Sequence, residues 1–554
     1  MSHAPRSGTP NPDDGNDASV HAAFQRARSR HGDRPFLHVP AHCAGGRVDL
    51  TYEQAGTRVE SIMAGYRSAG YGEGHHVGLL LDSRADFYLH WLALNAIGAT
   101  IVPLGADLAP EESSHVLQRG DVDLLVHLPE RSVTAEHAAR PVDGLPLATP
   151  TAIEAREAPP ATTARSAQSG HAAIVFTSGS TGRPKGCVLS NEYFLTFGRW
   201  YRDLGGRCAL RPGLERLITP LPLNHVNALA FSSMGMILTG GCIIQLDRFR
   251  SSSWWSTARR SGATVMHYLG VMPAMLLQLP VDPLEDLHAL RFGFGGGVQA
   301  AHHGAFENRF GVRLIEGWAM TETGGAGTLS THAGPRHIGS GCIGRPSSAY
   351  CEARIANEED VTQEVDCVGE LLVRAPGADP RRGFFSGYYK DPESTEAVWQ
   401  GGWLHTGDLA RRGADGSIFF VGRRKQIIRR SGENISAAEV ESVLAADTRI
   451  QEAAVVPVPD GLREEEVFAC IVLEPDVPPS AALVEAILDV AARRLAYFKL
   501  PGYIAFVDSL PVTATQKRRY SAVAESAQSL LTTGGSRLFD LRHTKHKYRP
   551  VRPG

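Results

Sequence analysis

The stretch FTSGSTGRPKG, residues 176–186, gathers small side chains, hydroxyls and backbone N–H groups into one loop. Gly179 and Gly182 carry no Cβ, so the backbone there can approach an oxyanion closely. The hydroxyls of Thr177, Ser178, Ser180 and Thr181 add donors, and Lys185 adds a charge suited to polyphosphate oxygens. Because Gly186 follows Lys185, this is not the G-x-x-x-x-G-K-[ST] nucleotide loop. This pattern points to phosphate binding, with a solvated Gly/Ser surface loop as the alternative.

Such a loop has to be delivered by a rigid element, and AAIVF (172–176) supplies one: a short apolar run that reads as a buried strand ending at a sheet edge. HVGLLL (76–81), ATIVPL (99–104) and DLLVHL (123–128) read the same way, and 83–98 between the first two has helical spacing. This alternation predicts an α/β fold with a mostly parallel sheet. Near residue 425 the pattern becomes α+β. A helix starts at ISAAEVESVLAA with Ser436 and Glu439 as a capping box, and the strands AAVVPVP and VFACIVLE follow, then a helix through AALVEAILDVAARRLAYF. The expected organisation is a disordered polar lead over 1–18 without a targeting pattern, a large body over 19–424, a small unit over 425–530 and a solvated basic tail over 531–554. A surface linker is expected within 150–170.

Composition narrows the function classes. A chain of 554 residues exceeds a single core, and a net charge of −3 gives no electrostatic ground for nucleic acid as a partner. Eight cysteines without a C-x-x-C pattern suit a reduced, cytoplasmic chain. Residues 228–246 are uncharged, but Gly240-Gly241 and several hydroxyls make a buried helix followed by a buried strand the expectation, not a membrane span.

Five further blocks follow in order: PLNHVNAL (222–229), GFGGGVQ (293–299), EGWAMTETG (316–324), GWLHTGDLARRGADGSIFFVGRRKQIIRRSGENISAAEVE (402–441) and LPVTATQKRRY (510–520). With the opening loop they resemble the adenylate-forming superfamily over residues 20–525: acyl- and aryl-CoA synthetases, peptide-synthetase adenylation domains and firefly luciferase. The PLNHVNA block and the Thr-Ala-Thr-x-Lys ending are most similar to carnitine/crotonobetaine–CoA ligases.

The resemblance implies a large α/β body whose sheets are flanked by helices, with a small mobile lid. It also implies ATP, Mg²⁺ and CoA as cofactors and a small carboxylic acid as substrate. Thr321 would bond the α-phosphate and Glu322 would reach Mg²⁺. Glu316, Gly317 and Trp318 would line the nucleotide, Trp318 taking an aromatic position usually held by tyrosine. Asp408 and Arg423 would hold the ribose, and Gly295, Gly296 and Gly297 would let backbone pass beside adenine and acyl group. His225 would wall the acyl pocket, with Tyr268, Val271 and Met272 as further wall candidates. Lys517 would bridge carboxylate and phosphate during adenylation, although Gln516 stands where the family usually has glycine. Lys425 would be the hinge, and Gly432 would line the channel for the thiol. The expected reaction is acid activation with ATP, then transfer to CoA. Transfer to a carrier-protein thiol or an amine, and a catalytically silent nucleotide-binding protein, are the alternatives carried. Monomer and homodimer both stay open.

Overall fold

Apolar runs too short for helices and bounded by turn residues form strands, as the pattern predicts. The computed structural model describes residues 17–549 apart from 106–107, 162–169, 178–183, 299, 358, 424–426 and 512–519. Part of the expected lead, linker and tail therefore lies outside the described residues. His76–Leu80, Thr100–Pro103 and Leu124–His127 are buried along their whole lengths and pair in parallel. The expected helix between the first two spans Ala85–Ala96. His171–Thr177 joins this sheet parallel to Thr100–Pro103 and then turns back antiparallel into Lys185–Ser190. Thr177 and Lys185, which flank the phosphate-loop candidate, therefore stand directly opposite each other in the ladder.

A second, larger sheet has a parallel centre built from Arg216–Thr219, Cys242–Gln245, Val265–Leu269, Phe292–Gly296 and Arg313–Trp318. It continues antiparallel through Leu329–Ser330, Cys342–Pro346, Ile418–Arg423 and Trp403–Arg412. Residues 228–246 form the π-turn Asn227–Ser232, the helix Ser233–Thr239 and the strand Cys242–Gln245, with Gly240 in the left-handed region at φ +66° between helix and strand. The buried hydroxyls of Ser232 and Ser233 donate to Asn227 O and Ala228 O at 3.0 and 2.7 Å, so both are paired within this apolar stretch. No helix among the described residues is long and apolar enough to cross a membrane.

The third sheet is formed by Ile427–Arg430, Glu433–Ser436, Ile450–Asp460, Glu464–Leu473, Tyr503–Phe506 and Leu538–Asp540. It has its own core, including Ile428, Val440, Ile471 and Leu488. The helix expected through residue 498 stops at Ala491, and Tyr497–Lys499 forms a tight turn that directs Lys499 toward the body. The basic tail departs from expectation. Leu538–Asp540 adds a strand beside Tyr503–Phe506, and Leu541 and Lys545 are buried, so residues 538–548 are part of the fold and not a solvated terminus.

The small unit is locked against the body by buried charge. Lys499 Nζ donates to Glu112 Oε1 at 2.5 Å and to Glu439 Oε1 at 2.8 Å, while Ala496 N donates to Glu112 Oε2 at 2.9 Å. Glu439, expected as half of a capping box, therefore serves this contact; the Ser436 side chain lies outside the described residues. Removing the cation leaves two buried carboxylates without their partner. Lys499→Ala is expected to cost about 3–5 kcal/mol, read as a lower urea midpoint for the third sheet. An unchanged midpoint would remove this contact as the anchor.

Candidate active site

A single cleft of about 1480 Å³ collects most of the described residues that the motifs single out. Its lining includes Thr177, Lys185, His225, Gly295, Gly296, Gly297, Glu316, Gly317, Trp318, Thr321, Glu322, Asp408 and Gly432. Residues 178–183, and with them Ser178, Gly179, Ser180, Thr181 and Gly182, lie outside the described residues, as do Lys425 and Lys517. For Arg423 only the backbone is described.

The glycines at 295–297 end a central strand, and their bareness is required by close backbone. A Cβ on Gly295 would lie 2.2 Å from Tyr268 O, and one on Gly296 would lie 2.5 Å from Gly317 O. Gly297 has φ +82°, a region that L side chains rarely adopt. Its N–H donates to Glu316 Oε2 at 3.0 Å, and Tyr268 OH donates to Glu316 Oε1 at 2.6 Å. Glu316 is the buried brace of this strand end, and burial pushes its carboxyl pKa up.

That bonding corrects one expectation. Val271 and Met272 line the cleft, but Tyr268 does not: it is fully buried beneath Gly295 with its hydroxyl on Glu316. Successive strand residues face opposite sides, so Leu269 reaches the cleft and Tyr268 turns away. The pocket floor holds residues the motifs did not flag. Phe197, Trp200, Phe231 and Phe294 border the cleft, and the Phe231 and Phe294 rings meet edge-on at 5.0 Å. The helical spacing of Phe194, Phe197 and Trp200 in NEYFLTFGRWYRD was the available signal.

At the nucleotide side, Asp408 and Arg423 sit directly opposite in neighbouring antiparallel strands. Trp318 Nε1 donates to Asp408 Oδ2 at 2.8 Å. The indole that replaces tyrosine thus fixes the expected ribose acid. Thr321 and Glu322 lie in a turn, not a helix start, stabilised by Thr323 N donating to Met320 O at 3.2 Å and Tyr193 OH donating to Thr321 O at 2.9 Å. Tyr388 OH donates to Glu322 Oε1 at 2.7 Å, a partner the sequence did not reveal. Lys185 Nζ lies 5.1 Å above the Tyr388 ring, is 3.2 Å from Asp391 Oδ2 and bonds Ser394 Oγ. Lys185 thereby lies over the ring of the tyrosine whose hydroxyl holds Glu322.

Across the cleft the small unit inserts the turn Ser431–Gly432–Glu433. Gly432 has φ +83°, and a Cβ there would lie 2.2 Å from Leu269 Cδ1. Glu433 Oε2 stands 3.5 Å from His225 Nε2. Burial lowers the His225 pKa, but the Glu433 carboxylate outweighs it and the net shift is upward. The described geometry brings a lysine and a carboxylate to one end of the cleft, an aromatic floor beside it, and a glycine turn packed against Leu269.

The family described as AMP-binding enzyme matches residues 24–389, and its C-terminal domain matches residues 439–517. The crotonobetaine/carnitine–CoA ligase of Citrobacter koseri is 30% identical over 470 residues, covering 82% of this chain and 88% of that one. The enzyme of the same name from Salmonella paratyphi A is 30% identical, covering 88% and 95%. Among solved structures, the amide bond synthetase McbA from Marinactinospora thermotolerans superposes with a TM-score of 0.78 at 25% identity, covering 91% of this chain and 99% of that one. A malonyl-CoA ligase with methylmalonyl-CoA and AMP bound gives 0.70 at 27% identity, covering 86% and 97%.

Proposed function

We propose, for a chain that belongs to the AMP-binding enzyme family, that it activates a small carboxylic acid with ATP and transfers the acyl group to CoA. In the first step a carboxylate oxygen attacks the α-phosphorus and pyrophosphate leaves. In the second the thiol sulfur attacks the acyl carbon and AMP leaves. The observation that carries this reading is one cleft bordered at once by Lys185, Glu322, the Trp318–Asp408 pair and the Gly432 turn.

In this reading the loop over 177–186 cradles the phosphates, Thr321 bonds the α-phosphate, and Asp408 with Arg423 holds the ribose. His225, Val271, Met272 and the aromatic floor surround the acyl group. Glu322 suits Mg²⁺, a hard cation that takes oxygen ligands and is usually shared with substrate phosphates. No cluster of three or more His, Cys, Asp or Glu side chains suited to a metal occurs among the described residues. A single carboxylate with nucleotide oxygens therefore matches the donors present, and bound Mg²⁺ would neutralise phosphate charge. The body is taken as 19–424 and the lid as the unit that starts at 425 and takes in Leu538–Asp540, turning about Lys425. The docked Gly432 turn suits the thiol-transfer arrangement, in which Lys517 is not required at the cleft.

A panel of carboxylic acids scored for AMP release, with and without CoA, tests the whole reaction. AMP release that needs an acid but ignores CoA would favour an amine or carrier-protein acceptor, a reading to which the amide bond synthetase likeness lends weight. Absence of acid-dependent exchange of pyrophosphate into ATP would leave a silent nucleotide-binding protein. Lys185→Ala should raise the KM for ATP roughly ten- to a hundredfold, the loss of one charge-assisted contact, with the fold unchanged by circular dichroism. An unaltered ATP dependence would take Lys185 out of the phosphate site.

A further inference from the structure

The aromatic floor of the cleft leaves two polar atoms unpaired among the described residues. Trp200 is 1% exposed and borders the cleft with Phe197, Phe231 and Phe294. Its Nε1 is buried with no hydrogen-bond partner, and so is Oδ1 of Asn227, which borders the same cleft. One ring links the two. Trp200 lies 5.7 Å from Phe231, and Phe231 and Asn227 belong to the π-turn Asn227–Ser232. Such turns are rare and recur at functional sites. A buried donor or acceptor left open costs about 1–3 kcal/mol, so a ligand that pairs with both is favoured here.

The groups around the floor are already committed. His267 stacks on Phe231 with ring centroids 4.4 Å apart, and burial keeps it neutral by pushing its pKa down to about 3. Because the Ser232 hydroxyl donates to Asn227 O, His267 Nδ1 donates to Ser232 Oγ at 2.7 Å and its Nε2 accepts from Tyr201 OH at 3.1 Å. Glu316 accepts from Tyr268 OH and Gly297 N, and Glu433 faces His225. An aromatic floor could also receive a quaternary ammonium. Its methyl groups, however, give the indole N–H no acceptor and the amide oxygen no polar donor, and an alkyl chain gives neither. A hydroxyl supplies both in one group. The floor rings meet steeply, Phe231 with Phe294 at 69° and Trp200 with Phe294 at 78°, an edge-on packing that a further planar ring extends.

We propose, resting on the ligase reading, that the acid activated is a hydroxylated aromatic acid. Its ring lies on the floor of Phe197, Phe231 and Phe294, and its hydroxyl accepts from Trp200 Nε1 and donates to Asn227 Oδ1. Trp200 and Asn227 thereby select the acid.

The test compares benzoate and cinnamate with their 2-, 3- and 4-hydroxy forms, alongside hexanoate and γ-butyrobetaine, a quaternary-ammonium acid. Each is scored by kcat/KM for acid-dependent exchange of pyrophosphate into ATP. The full chain is used as wild type, Trp200→Phe, Asn227→Ala and the double variant, with ATP affinity as the control for folding. Trp200→Phe keeps an aromatic ring in the floor and removes the N–H. In wild type one hydroxy isomer should exceed its parent acid by roughly ten- to a hundredfold, and the double variant should bring that ratio close to one. A parent acid, hexanoate or γ-butyrobetaine used as well as every hydroxy isomer overturns the proposal, and so does a ratio that survives both substitutions. Calorimetric binding of the same acids in the presence of AMP separates this proposal from the ligase reading. A hydroxyl preference in binding that the variants abolish, with no exchange for any acid, overturns the ligase reading and leaves the pocket assignment standing. Exchange driven only by the other acids does the reverse. Neither exchange nor binding with any acid overturns both.

Discussion

Lys517→Ala is expected to cut acid-dependent exchange of pyrophosphate into ATP by about a hundred- to a thousandfold, the usual cost of removing one charge aimed at a transition state. Conversion of a supplied acyl-adenylate to thioester should stay near the wild-type rate. The prediction rests on register with the LPVTAT motif, since Lys517 lies outside the described residues. The described face of the small unit supports a division of labour, because the Gly432 turn is part of what it presents to the cleft. On the rotating-lid proposal, a lysine needed only for adenylation acts in the other lid arrangement. Rates of adenylate formation and of thioester formation from preformed adenylate, measured separately, decide the matter. If Lys517→Ala slows both equally, the rotating-lid assignment fails. If neither changes, Arg518 or Arg519 becomes the candidate cation.

Gly432→Leu should do the reverse. At φ +83° any side chain strains the backbone, and a Cβ would lie 2.2 Å from Leu269 Cδ1. Leu269 could swing aside for a methyl group, but an isobutyl group would extend into the proposed path of the thiol. Thioester formation should fall by about a hundredfold or more, as expected when reacting groups are held out of attack geometry. Exchange of pyrophosphate should persist, because Lys185, Glu322 and Asp408 are untouched. Transfer to CoA at the wild-type rate would show that the thiol does not pass Gly432.

Sequence carried much of this because phosphate chemistry uses few residue types at fixed spacings. The alternating apolar runs announced the parallel sheets, since a strand buried on both faces must be continuously apolar. Asp408 and Arg423, fifteen positions apart in the chain (423 less 408), were chosen by motif and meet as cross-strand neighbours. Tyr268 failed for a local reason: the motif marked the strand but not which of two adjacent residues faces the cleft.

The sequence by itself determined the chemistry on offer: a glycine-rich loop with its lysine, a Thr-Glu pair, an aspartate expected at the ribose, a glycine triplet and a late lysine. Tertiary structure alone decided who holds these groups. Tyr388 reaches Glu322 across 66 positions, and Lys499 reaches Glu112 across 387. Lys545 is buried against Glu466, 79 positions away, in a tail whose composition reads as solvated. Each pairing depends on which sheet edge closes over which, and a buried charge is stable only where its partner arrives. Local periodicity reports neither, because it encodes the face of an element and not the element that will cover it.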